Sequence, residues 1–147
     1  MNTIDKYTDP ITFIKIVDKT IDEYIDYEIT AIGDRAFYSC SKLTTVDLPK
    51  ATIIGSNAFS VCSSLTTVDL PEATSIAGAA FSSCSSLTTV ILRNTEQVAT
   101  LSDTNAFNRS ANAIIYVPDS LVDSYKAANN WSTYADRIKG LSELPAA

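Results

Sequence analysis

The three cysteines are the side chains of this chain best suited to covalent chemistry, and they are evenly spaced. Cys40, Cys62 and Cys84 recur at intervals of twenty-two positions, and the chain contains no histidine. A nucleophilic cysteine needs a neighbouring base to form its thiolate, and the usual Cys-His and Ser-His-Asp arrangements both need histidine. The composition therefore argues against a hydrolase, and we expect no enzyme.

The same spacing bears on what else the thiols could do. Cysteines so far apart along the chain do not form a C-x-x-C metal motif. In consecutive units of a repeat their Cα atoms could lie about 5 Å apart, which is close enough for a disulfide, but parallel Cβ directions disfavour that bond. We expect free, buried thiols that fill small apolar spaces and direct their S–H groups at loop carbonyls, with no metal and no cofactor.

The cysteines belong to a sequence that occurs three times. The copies are AFYSCSKLTTVDLP at 36–49, AFSVCSSLTTVDLP at 58–71 and AFSSCSSLTTVILR at 80–93. Phe37, Phe59 and Phe81 follow the same period of twenty-two as the cysteines. Self-similarity at one fixed period indicates a solenoid, in which each repeat stacks on its neighbours.

Each copy contains one short strand. In LTTVDL, the alternation places Val46 and Leu48 on one face and Thr45 and Asp47 on the other. Equivalent strands would form a parallel sheet with neighbours about 4.8 Å apart, so that like side chains lie side by side. We therefore predict an interior ladder of Phe37, Phe59 and Phe81, accompanied by Cys40, Cys62 and Cys84.

The outward side chains of these strands are the candidate ligand-binding face. They are Thr45, Asp47, Thr67, Asp69, Thr89 and Ile91. Asp47 and Asp69 would be neighbours, and their like charges would repel unless they are solvated or bridged by a cation such as calcium. Ordered threonines lose little side-chain entropy on binding, but threonine is also simply a good strand former. Both interpretations remain open.

The repeat resembles a known family. The segment AIGDRAFYSCSKLTTVDLP at 31–49 is similar to the BspA-type leucine-rich repeats, and the similarity covers about residues 20–118. The segment 115–143 also resembles the closing segment of such proteins from gut Firmicutes. The resemblance implies an α/β solenoid, a right-handed leucine-rich repeat coil with a short parallel β-sheet. It also implies surface adhesion or recognition of a host or bacterial surface protein or glycan.

The domain prediction is one leucine-rich repeat domain over 1–147. It consists of an N-terminal cap at 1–19, twenty-two-residue repeats at 20–118 and a helical C-terminal cap at 119–147. Phe81 and Phe107 are separated by twenty-six positions, which places a four-residue insertion before the last repeat. Ser110 takes the cysteine position there, and Trp131 is expected to pack between the cap and the last repeat.

The two ends of the repeat array carry their own predictions. Asp9-Pro10 followed by apolar residues from Phe13 to Ile21 indicates a helix, although ITFIKIV at 11–17 is β-branched enough for a strand. In a degenerate first repeat, Ile21 and Tyr24 would match Leu43 and Val46. At the other end, helical spacing at 121–128 and STYADRIKG indicate two helices, the second ending at Gly140.

Charge and hydropathy exclude other classes of protein. With 11 basic and 17 acidic residues the net charge is −6, which disfavours nucleic acid as a partner. The run ITFIKIV is far shorter than the ~20 residues of a membrane helix. The N-terminus has no apolar core of a signal peptide, so a surface or extracellular location rests on the resemblance and a cytoplasmic one remains open. We expect a monomer that is either a binding module or a spacer segment of a larger surface or phage-derived protein.

Overall fold

The structure is a computed structural model that describes residues 29–145 and, before them, the backbone of four short strands. The strands are β1 (Asn2–Ile4), β2 (Phe13–Lys15), β3 (Thr20–Ile21), β4 (Tyr24–Ile25), β5 (Ile29–Ile32), β6 (Thr45–Asp47), β7 (Ile53–Ile54), β8 (Thr67–Leu70), β9 (Ser75–Ile76), β10 (Thr89–Leu92), β11 (Thr100–Leu101), β12 (Ile114–Val117) and β13 (Ile138–Gly140). The helix α1 spans Val122–Ala127, and 3₁₀ helices span Asp119–Leu121, Trp131–Arg137 and Leu141–Glu143.

Eleven of the thirteen strands form two parallel sheets, and β3 and β4 form a separate antiparallel pair. The front sheet has the order β13-β12-β10-β8-β6-β2, and the back sheet has the order β1-β5-β7-β9-β11. We call one repeat a coil, and each regular coil contributes one strand to each sheet. The predicted α/β solenoid is therefore confirmed.

The sequence pattern did not predict the back sheet. Its strands after β5 are only two residues long, at Ile53–Ile54, Ser75–Ile76 and Thr100–Leu101. Two residues are too few to show a period of two. The ladder forms because backbone groups of each coil are hydrogen-bonded to equivalent groups of the next coil. For example, the Gly55 N–H donates to the Ile32 carbonyl at 2.8 Å.

Equivalent residues of the front sheet lie in register. Val46 is paired with Val68, which is paired with Val90, and all three side chains are fully buried. They line a core that runs through the coils with Leu43, Leu65, Leu87 and the phenylalanines. The alternation read from LTTVDL thus places the apolar side chains inside and the polar ones outside.

The predicted N-terminal helix is wrong where the structure describes it. Phe13–Lys15 is strand β2 and pairs with β6, so that Ile14 lies opposite Val46, where Tyr24 was expected. Tyr24–Ile25 instead pairs antiparallel with Thr20–Ile21. The β-branched run satisfies the open edge of β6 as a strand, which a helix could not do. The remaining residues of the predicted helix lie outside the described residues.

The predicted second C-terminal helix ends early. Trp131–Arg137 is a 3₁₀ helix, but Ile138–Gly140 is a strand that pairs with β12, with Ile138 opposite Ile115. The physical reason is again an open strand edge, because β12 ends the repeat and needs a partner. The first predicted helix is α1, preceded by one 3₁₀ turn.

The inserted residues are divided around β11. Leu92 lies opposite Leu70 at the regular spacing of twenty-two, whereas Thr100 lies opposite Ser75 at a spacing of twenty-five. Three extra residues therefore precede β11, and the fourth lies between Leu101 and Phe107, which completes the longer interval between Phe81 and Phe107.

Candidate functional site

The front face comprises the outward side chains of β6, β8 and β10. The sequence-predicted members occupy two rows, one with Thr45, Thr67 and Thr89 and one with Asp47, Asp69 and Ile91. The threonines and aspartates are half-buried. The structure therefore brings all six predicted residues together on one sheet surface.

The negative charge of this face is partly neutralised within the chain. Asp47 lies opposite Asp69, and Arg93, two residues beyond Ile91, reaches back to Asp69. Its Nε and Nη2 atoms donate to Oδ1 and Oδ2 of Asp69, both at 3.3 Å. A guanidinium thus pairs with one of the two neighbouring carboxylates. Within the described residues, no group of three or more Cys, Asp or Glu side chains could hold a metal ion.

A second set of threonines stiffens the edge of the front face. The Thr66 hydroxyl donates to the Thr44 carbonyl at 3.0 Å, and the Thr88 hydroxyl donates to the Thr66 carbonyl at 3.3 Å. The first threonine of each LTT therefore extends the backbone ladder between coils, and the second points outward. The repeated TT doublet in the sequence indicates that these threonines occupy equivalent positions, but it does not show which carbonyls their hydroxyls contact.

The C-terminal end of the front face is apolar and covered. Ile91 lies opposite Tyr116, and these side chains are only 6% and 7% exposed. Lys139 of β13 lies beyond Tyr116 in the same row. Ile91 therefore offers little surface to a ligand, and Tyr116 and Lys139 extend the row beyond the residues predicted from sequence. The signal for Tyr116 was its position next to Ile115, which lies opposite Val90.

The phenylalanines form a stacked row inside the coils. Ring centroids lie 5.3 Å apart for Phe37 and Phe59 and 5.4 Å apart for Phe59 and Phe81, with planes within 3° of parallel. Phe107 continues the row at 5.6 Å from Phe81. Trp131 and Tyr134 then end it with a tilted and an edge-on ring. Such offset aromatic pairs stabilise beyond their buried area.

The cysteines lie beside this row and are free. The Cys62 thiol donates to the Phe37 carbonyl at 3.2 Å, and the Cys84 thiol donates to the Phe59 carbonyl at 3.1 Å. Ser110 makes the same bond to the Phe81 carbonyl at 2.7 Å. Each coil is thus linked to the previous one at this position.

The surroundings of the thiols suppress their reactivity. Burial, followed by the proximity of Cys84, raises the pKa of Cys62 to about 12, and burial raises the pKa of Cys84 to about 11. Burial also raises the pKa of Cys40, but this residue is only half-buried, so the expected burial holds for Cys62 and Cys84 and not for Cys40. Because the thiolate is the reactive and metal-binding form, Cys62 and Cys84 remain protonated and inert at neutral pH.

In the part of the chain that the structure describes, no helix is both long and apolar enough to cross a bilayer. The front face consists of two rows of side chains and does not form a cleft.

Known proteins share this architecture. Residues 15–134 match, in six copies, the family model described as BspA type leucine-rich repeat region. A solved leucine-rich repeat protein from Bacteroides ovatus is similar to the chain with 26% identity and a TM-score of 0.54. The similarity covers 77% of this chain and 30% of that protein. No curated protein matches the chain. Because the family model covers most of the sequence, the chain belongs to the BspA-type leucine-rich repeat family.

Proposed function

We propose that the chain is a non-enzymatic binding module that recognises a protein or glycan at a bacterial cell surface through its front face. Leucine-rich repeats of this family typically serve in protein interaction and are typically surface-associated. The observation that carries the proposal is the register of β6, β8 and β10, which aligns Thr45 with Thr67 and Thr89, and Asp47 with Asp69.

The physical argument is that this surface is already ordered before a partner arrives. The threonine and aspartate side chains stand on strands held on both sides by neighbouring coils, and Arg93 holds the Asp69 carboxylate. Ordering flexible side chains is a large part of the cost of association, and a pre-ordered surface avoids much of it. In an adhesion role, this partner would be a molecule displayed on the surface of a cell.

The chemistry of the chain supports binding over catalysis. The chain has no histidine, and burial holds the pKa of Cys62 and Cys84 far above neutrality. The front-face threonines and aspartates are suited to hydrogen bonding with a partner.

The test replaces the polar centre of the face. In one variant Asp47, Thr67 and Asp69 are all changed to alanine. The matched control changes Ile53 and Ser75 of the back sheet, which face outward on the other side, to alanine. Both variants and the unmodified chain are applied to a glycan array and to extracts of bacterial surface proteins, and thermal unfolding is measured in parallel.

We expect the front-face variant to lose binding of a partner that the unmodified chain and the control both retain, with all three unfolding at similar temperatures. Equal binding by the two variants would show that the front face is not the recognition surface.

A second function has one observation in its favour. The chain spans only 30% of the length of the similar Bacteroides ovatus protein, which suits a spacer within a larger surface protein. A spacer predicts that the intact chain binds neither to the glycan array nor to any surface protein in the extracts.

A further inference from the structure

The C-terminal edge of the back sheet borders a pocket that the front face does not include. β11 is the last strand of this sheet, so its outer edge faces no other strand. Beside that edge lies a pocket of about 190 Å³, formed by β11, the inserted segment and the turn after α1. Its lining includes Val98, Leu101, Ala128, Asn129 and Trp131.

The backbone groups on the outer edge of β11 can be identified from the ladder. Thr100 and Ser102 donate their N–H groups to β9, at the carbonyls of Thr74 and Ile76. Alternate residues of a strand direct their backbone groups to opposite edges. Ala99 and Leu101 therefore direct their N–H and C=O groups outward, towards the C-terminal cap.

Cap side chains satisfy three of these four groups. The Tyr125 hydroxyl accepts from the Ala99 N–H at 2.9 Å, and Trp131 Nε1 donates to the Ala99 carbonyl at 2.7 Å. Asn130 Nδ2 donates to the Leu101 carbonyl at 2.7 Å. Among residues 29–145, the Leu101 N–H has no hydrogen-bond partner, although Leu101 is only 3% exposed. Because Leu101 lines the pocket, a ligand that brings an acceptor would complete the hydrogen bonding of this strand edge.

The walls determine what kind of acceptor fits. None of the residues lining the pocket carries an ionisable side chain. A carboxylate would lose its hydration there without gaining a cation, whereas a neutral carbonyl has much less hydration to lose and gains the Leu101 N–H as a donor. The pocket also exceeds the roughly 150 Å³ that suffices for benzene in an apolar cavity. An aliphatic or aromatic side chain therefore fits beside the carbonyl.

The occupied carbonyls exclude a full additional strand. A partner strand would need the Ala99 and Leu101 carbonyls as acceptors, and Trp131 and Asn130 already use them. Strand addition depends on a row of free main-chain groups. Only one such group remains on the described edge of β11, so the partner engages it with one residue.

We propose that this pocket is an anchor site for a single apolar residue of a partner protein, whose backbone carbonyl accepts from the Leu101 N–H while its side chain packs against Trp131 and Val98. The site is separate from the front face, and its occupation does not depend on the function proposed for that face.

The test uses N-acetyl-leucine amide as a neutral mimic of one residue and N-acetyl-leucine as its charged counterpart. Both are titrated into the intact isotope-labelled chain, with amide NMR shifts and the fluorescence of its single tryptophan as measurements. The amide is expected to move the Leu101 resonance downfield in a saturable manner, in the millimolar range expected of so small a ligand, and to change the Trp131 emission. The carboxylate is expected to bind several-fold more weakly.

The matched variants are Ala128→Phe, which fills the pocket, and Ala127→Phe on the exposed neighbouring residue that does not line it. Binding of the amide should be lost in Ala128→Phe and retained in Ala127→Phe. A Leu101 resonance of the unmodified chain that does not move up to the solubility limit of the probe overturns the proposal. Equal binding by the carboxylate, or undiminished binding by a folded Ala128→Phe variant, does so as well.

Discussion

Two positions of the regular coils hold a residue other than glycine in the left-handed backbone region, and in the last coil only the second position does so. The first position is occupied by Arg35, Asn57 and Ala79, and the second by Ser39, Val61, Ser83 and Arg109. At the second position the chain turns so that residues 39 and 61 can donate to the carbonyls of the next coil, at Ser60 and Ser82. The geometry of the ladder imposes this conformation whatever residue occurs there.

Val61 is the least suitable residue for that conformation. Its φ is 60°, its side chain is 38% exposed, and it is β-branched. The left-handed region costs an ordinary L-residue about 1–2 kcal/mol, and asparagine tolerates it best after glycine. We expect Val61→Asn to raise the free energy of unfolding by about 1 kcal/mol, measured by urea denaturation.

The equivalent residue of the next coil provides the control. Ser83 has a φ of 55°, and Ser83→Val should lower the free energy of unfolding by a similar amount. Changes of the same sign in both variants would contradict backbone strain as the cause.

At the scale of elements, the C-terminal cap replaces a missing coil. In a regular coil the Phe59 N–H donates to the carbonyl of Ala80 in the next coil at 2.8 Å. In the last coil the Phe107 N–H donates to the Tyr134 hydroxyl at 3.2 Å, and that hydroxyl donates to the Thr104 carbonyl. A side chain from the cap thus takes the place of the backbone that would follow.

The hydroxyl of Tyr134 can be tested alone. Tyr134 is 4% exposed, so Tyr134→Phe would leave the Phe107 N–H and the Thr104 carbonyl unpaired in an enclosed site. We expect the free energy of unfolding to fall by about 1–3 kcal/mol. Tyr38→Phe, at a side chain that is 46% exposed, is the control and should change stability by less than about 0.5 kcal/mol. A Tyr134→Phe variant as stable as the control would mean that water replaces the hydroxyl without loss.

At the scale of the whole molecule, the exact period made the solenoid and its rows predictable. Repeats that share a sequence must share a conformation, so the alignment of Thr45 with Thr67 and of Phe37 with Phe59 could be read from spacing. The candidate face depended on the same register. Its half-buried aspartates could be placed from the pattern, but the Arg93 contact could not, because it depends on how a long side chain folds back.

Departures from the period were much harder to place. Ile14 pairs with Val46 at a spacing well beyond one repeat. Between them, β3 and β4 form an antiparallel pair that the repeat period does not predict. Tyr116 lies opposite Ile91 at a spacing of twenty-five, which is longer than the regular period. The pocket at β11 also depends on the insertion and the cap, which occur once. These features form where a strand edge lacks a neighbouring coil. The sequence pattern does not show which segment of the chain pairs with such an edge.

Those edges lead to a prediction about association. Residues 119–145 cover β12 with β13 and cover β11 with the side chains of Trp131 and Asn130. Uncovered parallel strands pair readily with other chains, and Phe107 would also lose its contacts with Trp131 and Tyr134. A chain that ends at Pro118 should therefore form larger species as its concentration rises, measured by size-exclusion chromatography with light scattering. A chain that ends at Pro145 is the control and should behave as the intact chain does. If the chain ending at Pro118 keeps its strand signal in circular dichroism and stays monomeric, the cap is not what keeps the solenoid from growing.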